Sequence, residues 1–187
     1  MNQLDETLIQ LAQLLNSNHI NWALGGSALL KLRGIELDVN DIDIMIHEND
    51  FQTSINLLKT VSIECEVKES DVFKTKYYKK FIWNNMHIDC MSGMTLHLSN
   101  NTFNYQYDRK DKDIVLDDTH IPLCYIEDWY LLYHLMPNRE KKINIIEKYF
   151  ENYPIDKQRF DKLLQLDIPN NKRLLIETFI KDKKRVI

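Results

Sequence analysis

Two carboxylates set one residue apart in an apolar strand constrain this chain more than any other feature. They lie in the stretch from Trp22 to His47, which reads WALGGSALLKLRGIELDVNDIDIMIH. Residues two apart in a strand project from the same face, so Asp41 and Asp43 share one face and three isoleucines share the other, Ile42, Ile44 and Ile46. Close carboxylates on an apolar strand repel each other and are poorly solvated, so the pattern predicts a partner cation.

Magnesium is the natural candidate for that cation, because it takes carboxylate oxygens together with water and substrate phosphates. A third carboxylate, Asp89, lies alone in a later apolar strand, His87–Met91. Two plainer interpretations remain open. The paired acids could lie on the solvent face of an edge strand, and Asp89 could be a hydrogen-bonded structural residue.

The turn Gly25-Gly26-Ser27 precedes the paired acids and weighs against the plainer interpretations. A glycine pair lets the backbone approach a ligand closely and adopt positive φ. The helix that follows offers free N–H groups to an anionic phosphate. Ser27 adds a hydroxyl, although serine at a helix start is also an ordinary N-cap. The three residues are therefore candidates for holding a nucleotide's phosphates.

The spacing of apolar residues over the first 120 positions predicts a mixed α/β unit. Helices are expected over 4–18, Ser27–Arg33 and about Asp50–Thr60. Strands are expected over Ile20–Leu24, Asp41–His47, 61–69, Lys74–Trp83 and Met86–Met91. Asn84-Asn85 is expected to join the last two strands as a hairpin, and residues 100–118 form an edge strand or a long loop.

From Ile121 onward the composition predicts helices. They are expected over Ile126–Met136, Arg139–Asn152, Lys157–Leu166 and from Asn170 into the basic tail 181–185, with prolines between them. The predicted fold class is α+β: a small mixed β-sheet with flanking helices over 1–120, then a C-terminal helical region over 121–187.

The composition excludes several classes of protein. The 187 residues are 44% hydrophobic and carry a net charge of −4, which favours a folded domain and makes nucleic acid an unlikely partner. Three separated cysteines, without a Cys-x-x-Cys pair, favour free thiols over a zinc site or disulfides. We find no signal peptide and no apolar run long enough to span a membrane, so a cytoplasmic location without membrane association is expected.

The combination of Gly25-Gly26-Ser27, Asp41-x-Asp43 and Asp89 resembles the polymerase-β-like nucleotidyltransferase superfamily. The match is closest to its small bacterial members, such as the aminoglycoside and lincosamide nucleotidyltransferases. It covers about residues 20–92, and more weakly 127–146. In that second segment the family often shows Arg-x-Lys-Asp, from which Arg139-Glu140-Lys141-Lys142 departs.

The resemblance implies a transfer that uses two Mg²⁺ ions, with ATP or another nucleoside triphosphate as donor. Asp41 and Asp43 would hold the ion on the β- and γ-phosphates. Asp89 would complete the second site and help to deprotonate the acceptor hydroxyl. Lys74 and Lys76, two apart before the hairpin, are further candidates for the triphosphate.

The acceptor is left open by the sequence. A small molecule such as an aminoglycoside or lincosamide is expected, and the acidic chain suits a cationic acceptor. A protein or RNA acceptor, as in toxin–antitoxin members of the superfamily, is an alternative. A non-catalytic, antitoxin-like binding module is another, as is a fold whose acidic strand binds no metal. A homodimer is compatible with all of these.

Overall fold

A computed structural model describes residues 2–98, 101–109 and 113–183. Seven helices lie in these ranges: α1 (Gln3–Ser17), α2 (Gly26–Leu32), α3 (Glu48–Leu58), α4 (Ile126–Leu135), α5 (Glu140–Asn152), α6 (Lys157–Leu163) and α7 (Asn170–Lys183). The nine strands of the same ranges are β1 (Trp22–Leu24), β2 (Asp41–Ile46), β3 (Ile63–Cys65), β4 (Tyr77–Trp83), β5 (Met86–Ser92), β6 (Met94–His97), β7 (Thr102–Tyr105), β8 (Ile114–Leu116) and β9 (Thr119–Ile121).

Five strands form a mixed sheet in the order β1-β2-β5-β4-β3. Strands β2 and β5 run parallel, and the other neighbouring pairs run antiparallel. Helices flank this sheet, and four more helices follow it along the chain. The predicted α+β class, a small mixed sheet followed by a helical region, is therefore confirmed.

The alternation along β2 buries its isoleucines in the core and leaves Asp41 and Asp43 half-buried on the other face, as expected. Ile42 and Ile44, with Ile88 of β5, are fully buried. Leucines of α1 are buried in the same core, Leu8, Leu11 and Leu15. Burying one such side chain contributes about 1.5–3 kcal/mol. The register of β2 is therefore well specified, because a one-residue slip would expose the isoleucines and bury the acids.

The hairpin of β4 and β5 forms without a glycine in its turn. Asn84 and Asn85 both adopt left-handed backbone conformations, with φ of 50° and 58°. Asparagine is among the few non-glycine residues that tolerate this region. A two-residue turn of this kind matches the twist of the flanking strands, so the predicted hairpin forms.

Three predicted strands differ from the structure. The strand expected over 61–69 is limited to β3, which lies at the sheet edge, and the strand expected from Lys74 begins at Tyr77. Within 100–118, β7 pairs with β6 and β8 pairs with β9, which makes two small separate sheets. Ser99, Asn100, 110–112 and the end of the basic tail, 184–187, lie outside the described residues.

The helical half is joined to the main sheet through the edge strand β1. Leu24 donates its N–H to the Pro122 carbonyl at 2.8 Å, and the Cys124 N–H reaches the Leu24 carbonyl at 2.9 Å. Helix α4 is buried along its whole length. The domain boundary at 120/121 stays a prediction. Among the described residues, no helix combines the length and apolar character that crossing a membrane requires.

A buried ion pair connects α4 to α6. Arg159 is 8% exposed and donates from Nε and Nη2 to the two oxygens of Asp128, at 2.5 and 2.6 Å. Asp128 is fully buried and also accepts a hydrogen bond from Tyr105 of β7. The third guanidinium nitrogen of Arg159 contacts Asp108 at 2.9 Å. This network fastens the helical half to the small β6–β7 sheet.

Candidate active site

The parallel register of β2 and β5 brings the three acids together. Asp43 lies directly opposite Asp89, and Asp41 lies opposite His87. Neighbouring strands are about 4.8 Å apart, and directly paired residues project from the same face. All three carboxylates line one cavity of about 610 Å³. The predicted acidic cluster is therefore assembled by strand pairing rather than by a loop.

Asp43 is the most perturbed acid of the cluster. Burial, the negative charge of Asp41 and that of Asp89 raise the pKa of Asp43 to about 7. Lys142 and Arg139 act in the opposite direction and lower it. These two cations do not offset burial and the neighbouring acids, so the Asp43 carboxylate would gain from a further bound cation.

Asp89 is held by its antiparallel neighbour β4. The Tyr78 hydroxyl donates to Asp89 Oδ2 at 2.5 Å, and Lys80 Nζ lies 3.1 Å from Oδ1. Asp89 is 7% exposed, and its Oδ1 is buried and accepts no well-aligned hydrogen bond despite the nearby ammonium group. Both oxygens of Asp89 therefore have a neighbour on β4, and Oδ1 has an ion-pair contact with Lys80 but no well-aligned hydrogen bond.

The two glycines of the turn make room for protein groups. Gly26 has φ of +59°, and a Cβ there would overlap the Asp43 carboxylate. A Cβ on Gly25 would overlap the indole ring of Trp129 from α4. The Gly25 N–H also donates to the Asp43 carbonyl at 2.8 Å. The turn therefore fixes Asp43 and fits the helical half against it, and its role toward phosphate stays a prediction.

Ser27 has a partner that the sequence did not reveal. Its hydroxyl is buried and accepts a hydrogen bond from Lys142 Nζ of α5 at 2.7 Å. The same ammonium lies 5.0 Å from the centre of the Tyr133 ring. Burial lowers the pKa of Lys142, while Asp43 raises it. A cation is therefore held beside the acids, between the glycine turn and α5.

The two candidate lysines before the hairpin separate in the structure. Lys74 lines the cavity with the three acids. Lys76 is not among the lining residues, and its Nζ lies 4.7 Å from the centre of the Tyr77 ring. Both lysines precede β4, which begins at Tyr77, so the strand alternation that would place residues two apart on one face does not apply to them.

Several lining residues were missed by the sequence reasoning. They are Tyr78, Lys80, Arg139 and Lys142. Lys80 could have been found, because a two-residue turn at Asn84-Asn85 sets Lys80 directly opposite Asp89. The segment 139–142 was marked by the resemblance, but its sequence does not show that Lys142 lies beside the acids, because tertiary packing of α5 brings it there.

The three aspartates are chemically suited to bind a magnesium ion. Carboxylate oxygens are the ligands that Mg²⁺ prefers, the raised pKa of Asp43 reports crowded negative charge, and Asp89 Oδ1 accepts no hydrogen bond. Nevertheless, within the described ranges, no three His, Cys, Asp or Glu side chains converge as a ready-made metal cluster. Asp89 is turned toward Tyr78 and Lys80, so binding would require a small reorientation of its carboxylate.

Comparisons with known proteins show which solved structures share this fold. No protein-family model and no curated protein match the sequence. Among solved structures, a Thermotoga maritima protein proposed to be a nucleotidyltransferase has 18% identity and a TM-score of 0.60, covering 79% of this chain and 92% of its own.

Two antibiotic-modifying enzymes also share the fold. ANT(2″)-Ia in complex with adenylyl-2″-tobramycin has 11% identity and a TM-score of 0.54, over 77% of this chain and 86% of its own. The lincosamide adenylyltransferase LnuA bound to lincomycin has 15% identity and a TM-score of 0.51, over 76% and 95%. The chain therefore has the nucleotidyltransferase fold that the sequence motifs indicated.

Proposed function

We propose that this chain is a Mg²⁺-dependent nucleotidyltransferase that moves AMP from ATP to an acceptor hydroxyl. One observation carries the proposal: the register of β2 on β5 sets Asp43 beside Asp89, with Asp41 two residues away, and all three face one cavity. The fold shared with nucleotidyltransferases supports the reaction class.

In this proposal Asp41 and Asp43 would hold one ion, and Asp89 would complete the site of a second. When bound, two such ions stabilise the attacking and leaving oxygens of an in-line displacement. Asp89 would exchange its contact with Lys80 for the ion, using the oxygen that accepts no hydrogen bond.

The chain's own side chains supply position and charge. Asp89 would take the proton of the acceptor hydroxyl, with its carboxylate oriented by Tyr78. Lys74, Arg139 and Lys142 line the cavity and would face the phosphates, where positive charge stabilises the charge that develops in the transition state. Trp129 and Tyr133 offer an aromatic wall for the base.

The charges of the cavity narrow the acceptor class within this proposal. Five basic side chains line it among the described residues (Lys68, Lys74, Lys80, Arg139 and Lys142), against four acids (Asp41, Asp43, Glu69 and Asp89). Once the three aspartates hold cations, Glu69 alone would remain to pair with ammonium groups. A neutral or singly charged hydroxyl compound, lincosamide-like, is therefore favoured over a polycationic aminoglycoside, although the whole chain is acidic.

The experiment that tests the proposal is incubation with Mg²⁺, ATP and a panel of hydroxyl acceptors, with products read by mass. We expect nucleotide incorporation by the wild type and none by Asp43→Asn. Lys74→Met should weaken incorporation, and Lys76→Met is the matched control because Lys76 lies outside the cavity lining. Equal pyrophosphate release by wild type and Asp43→Asn would rule out the proposed site.

A further inference from the structure

One hydroxyl of the chain already lies where an acceptor hydroxyl has to lie. The Tyr78 hydroxyl donates to Asp89 Oδ2 at 2.5 Å, a short hydrogen bond to a carboxylate, so the two groups are in the direct contact that a nucleophile and its base require. Tyr78 also lines the cavity that holds Asp41 and Asp43. Because Asp43 is the cross-strand neighbour of Asp89, the Tyr78 oxygen faces the same space as the proposed phosphate site.

The placement of Tyr78 is specific to one face of β4. Its neighbour Tyr77 is absent from the cavity lining, and its ring packs against Phe51 with ring centres 5.6 Å apart. Lys80 lies on the Tyr78 side and contacts Asp89, whereas Lys79 is paired with Glu64. The two tyrosines are thus adjacent in sequence and on opposite faces, which makes Tyr77 a matched control.

We propose that Tyr78 is a self-modification site, at which the chain transfers a nucleoside monophosphate to its own side chain. The inference rests on the proposed function, because a nucleoside triphosphate is the co-reactant. The Tyr78 oxygen bonds to the α-phosphorus, and the bond from that phosphorus to the pyrophosphate oxygen breaks. The phenol proton passes to Asp89, pyrophosphate leaves, and a tyrosine phosphodiester remains.

The modification has a functional consequence. A nucleotide attached to Tyr78 fills the cavity and removes the hydrogen bond that orients Asp89, so the modified chain cannot process another acceptor. Because the reverse step uses the same groups, excess pyrophosphate regenerates the triphosphate and frees the tyrosine. Self-modification would therefore act as a reversible block when acceptor is scarce.

The test is mass spectrometry of the full chain after incubation with Mg²⁺ and ATP in the absence of any acceptor. Fragment-ion spectra must assign the site, because Tyr77 and Tyr78 fall in one tryptic peptide. We expect one adenylate on Tyr78 in the wild type and in Tyr77→Phe, and none in Tyr78→Phe or Asp43→Asn. Added pyrophosphate should remove the label.

The outcomes separate this inference from the proposed function. Nucleotide binding and pyrophosphate release with the acceptor panel are measured on the same samples. If the wild type binds nucleotide and modifies an external acceptor while Tyr78 stays unlabelled, Tyr78 only orients Asp89 and the inference is wrong. The inference is also wrong if the Tyr78→Phe variant is still labelled. If the wild type shows no nucleotide binding, no pyrophosphate release and no label, both this inference and the proposed function are wrong.

Discussion

Lys142 Nζ donates to Ser27 Oγ at 2.7 Å and so joins α5 to the glycine turn beside Asp43. Because Lys142 stabilises the ionised form of Asp43, its removal should raise the pKa of that acid above its value of about 7. We expect Lys142→Met to shift Mn²⁺ binding to higher pH and to lower kcat/KM roughly a hundredfold. Lys141→Met is the control, since Lys141 is exposed and absent from the cavity lining. Identical pH profiles for both variants would contradict the role given to Lys142.

The raised pKa of Asp43 predicts how the metal-free protein responds to pH. The native state keeps a proton between about pH 4 and about pH 7 that the unfolded chain has already released. The free energy of unfolding should therefore fall as pH rises through that window and level off above it. Urea denaturation in EDTA measures this, and Asp43→Asn should flatten the curve.

Magnesium supplies an independent check on the same acid. A cation that binds only the native state stabilises it, so Mg²⁺ should recover stability above pH 7 in the wild type. The recovery should be absent in Asp43→Asn. Equal stabilisation of both proteins would place the ion elsewhere.

Gly26 and Gly34 form a natural pair for testing the turn. Both have positive φ, +59° and +84°, so alanine costs about 1 kcal/mol of backbone strain at either position. At Gly34 no atom lies within 4 Å of an added Cβ, whereas at Gly26 the Cβ overlaps the Asp43 carboxylate. Gly26→Ala should therefore cost roughly 1–3 kcal/mol more by chemical denaturation and also weaken Mn²⁺ binding. Equal losses for both variants would show that Asp43 does not need this space.

The Arg159–Asp128 pair predicts a large stability effect outside the cavity. Asp128 is fully buried, so Arg159→Met leaves an uncompensated charge and should cost about 3–5 kcal/mol. Arg109, paired with Asp113 at 3.2 Å on the surface, is the control, and Arg109→Met should cost about 0–1 kcal/mol. Midpoints of guanidinium unfolding that move equally would argue against the network as the fastening of the helical half.

The strands that carry the three acids could be predicted from the sequence, because they follow from local patterns. The alternation of Asp41 to Ile46 specifies a strand and its faces, and the apolar segment around Asp89 specifies a second strand. The parallel pairing of these two strands does not follow from their composition, because the equally interior β4 runs antiparallel to β5.

The cationic wall could not be predicted in the same way. Lys142 and Arg139 reach the acids through packing of α4 and α5, which depends on contacts distant in sequence such as Trp129 against Gly25. Lys68 and Lys74 line the cavity from the segment between β3 and β4. The strand expected over 61–69 ends at Cys65, so this segment lies outside the sheet. Because this segment has no regular periodicity, its sequence of charges does not predict which way the lysine side chains point.

The Asn84-Asn85 turn gives the protein an unexpected point of vulnerability. Adding or deleting one residue at the hairpin tip would leave every lining residue intact in the sequence. If the turn then stayed two residues long, the register would shift by one, turning Tyr78 and Lys80 away from Asp89 and bringing Tyr77 and Lys79 to its face. The length of this turn therefore decides which side chains of β4 reach the acids, although no residue of the turn lines the cavity.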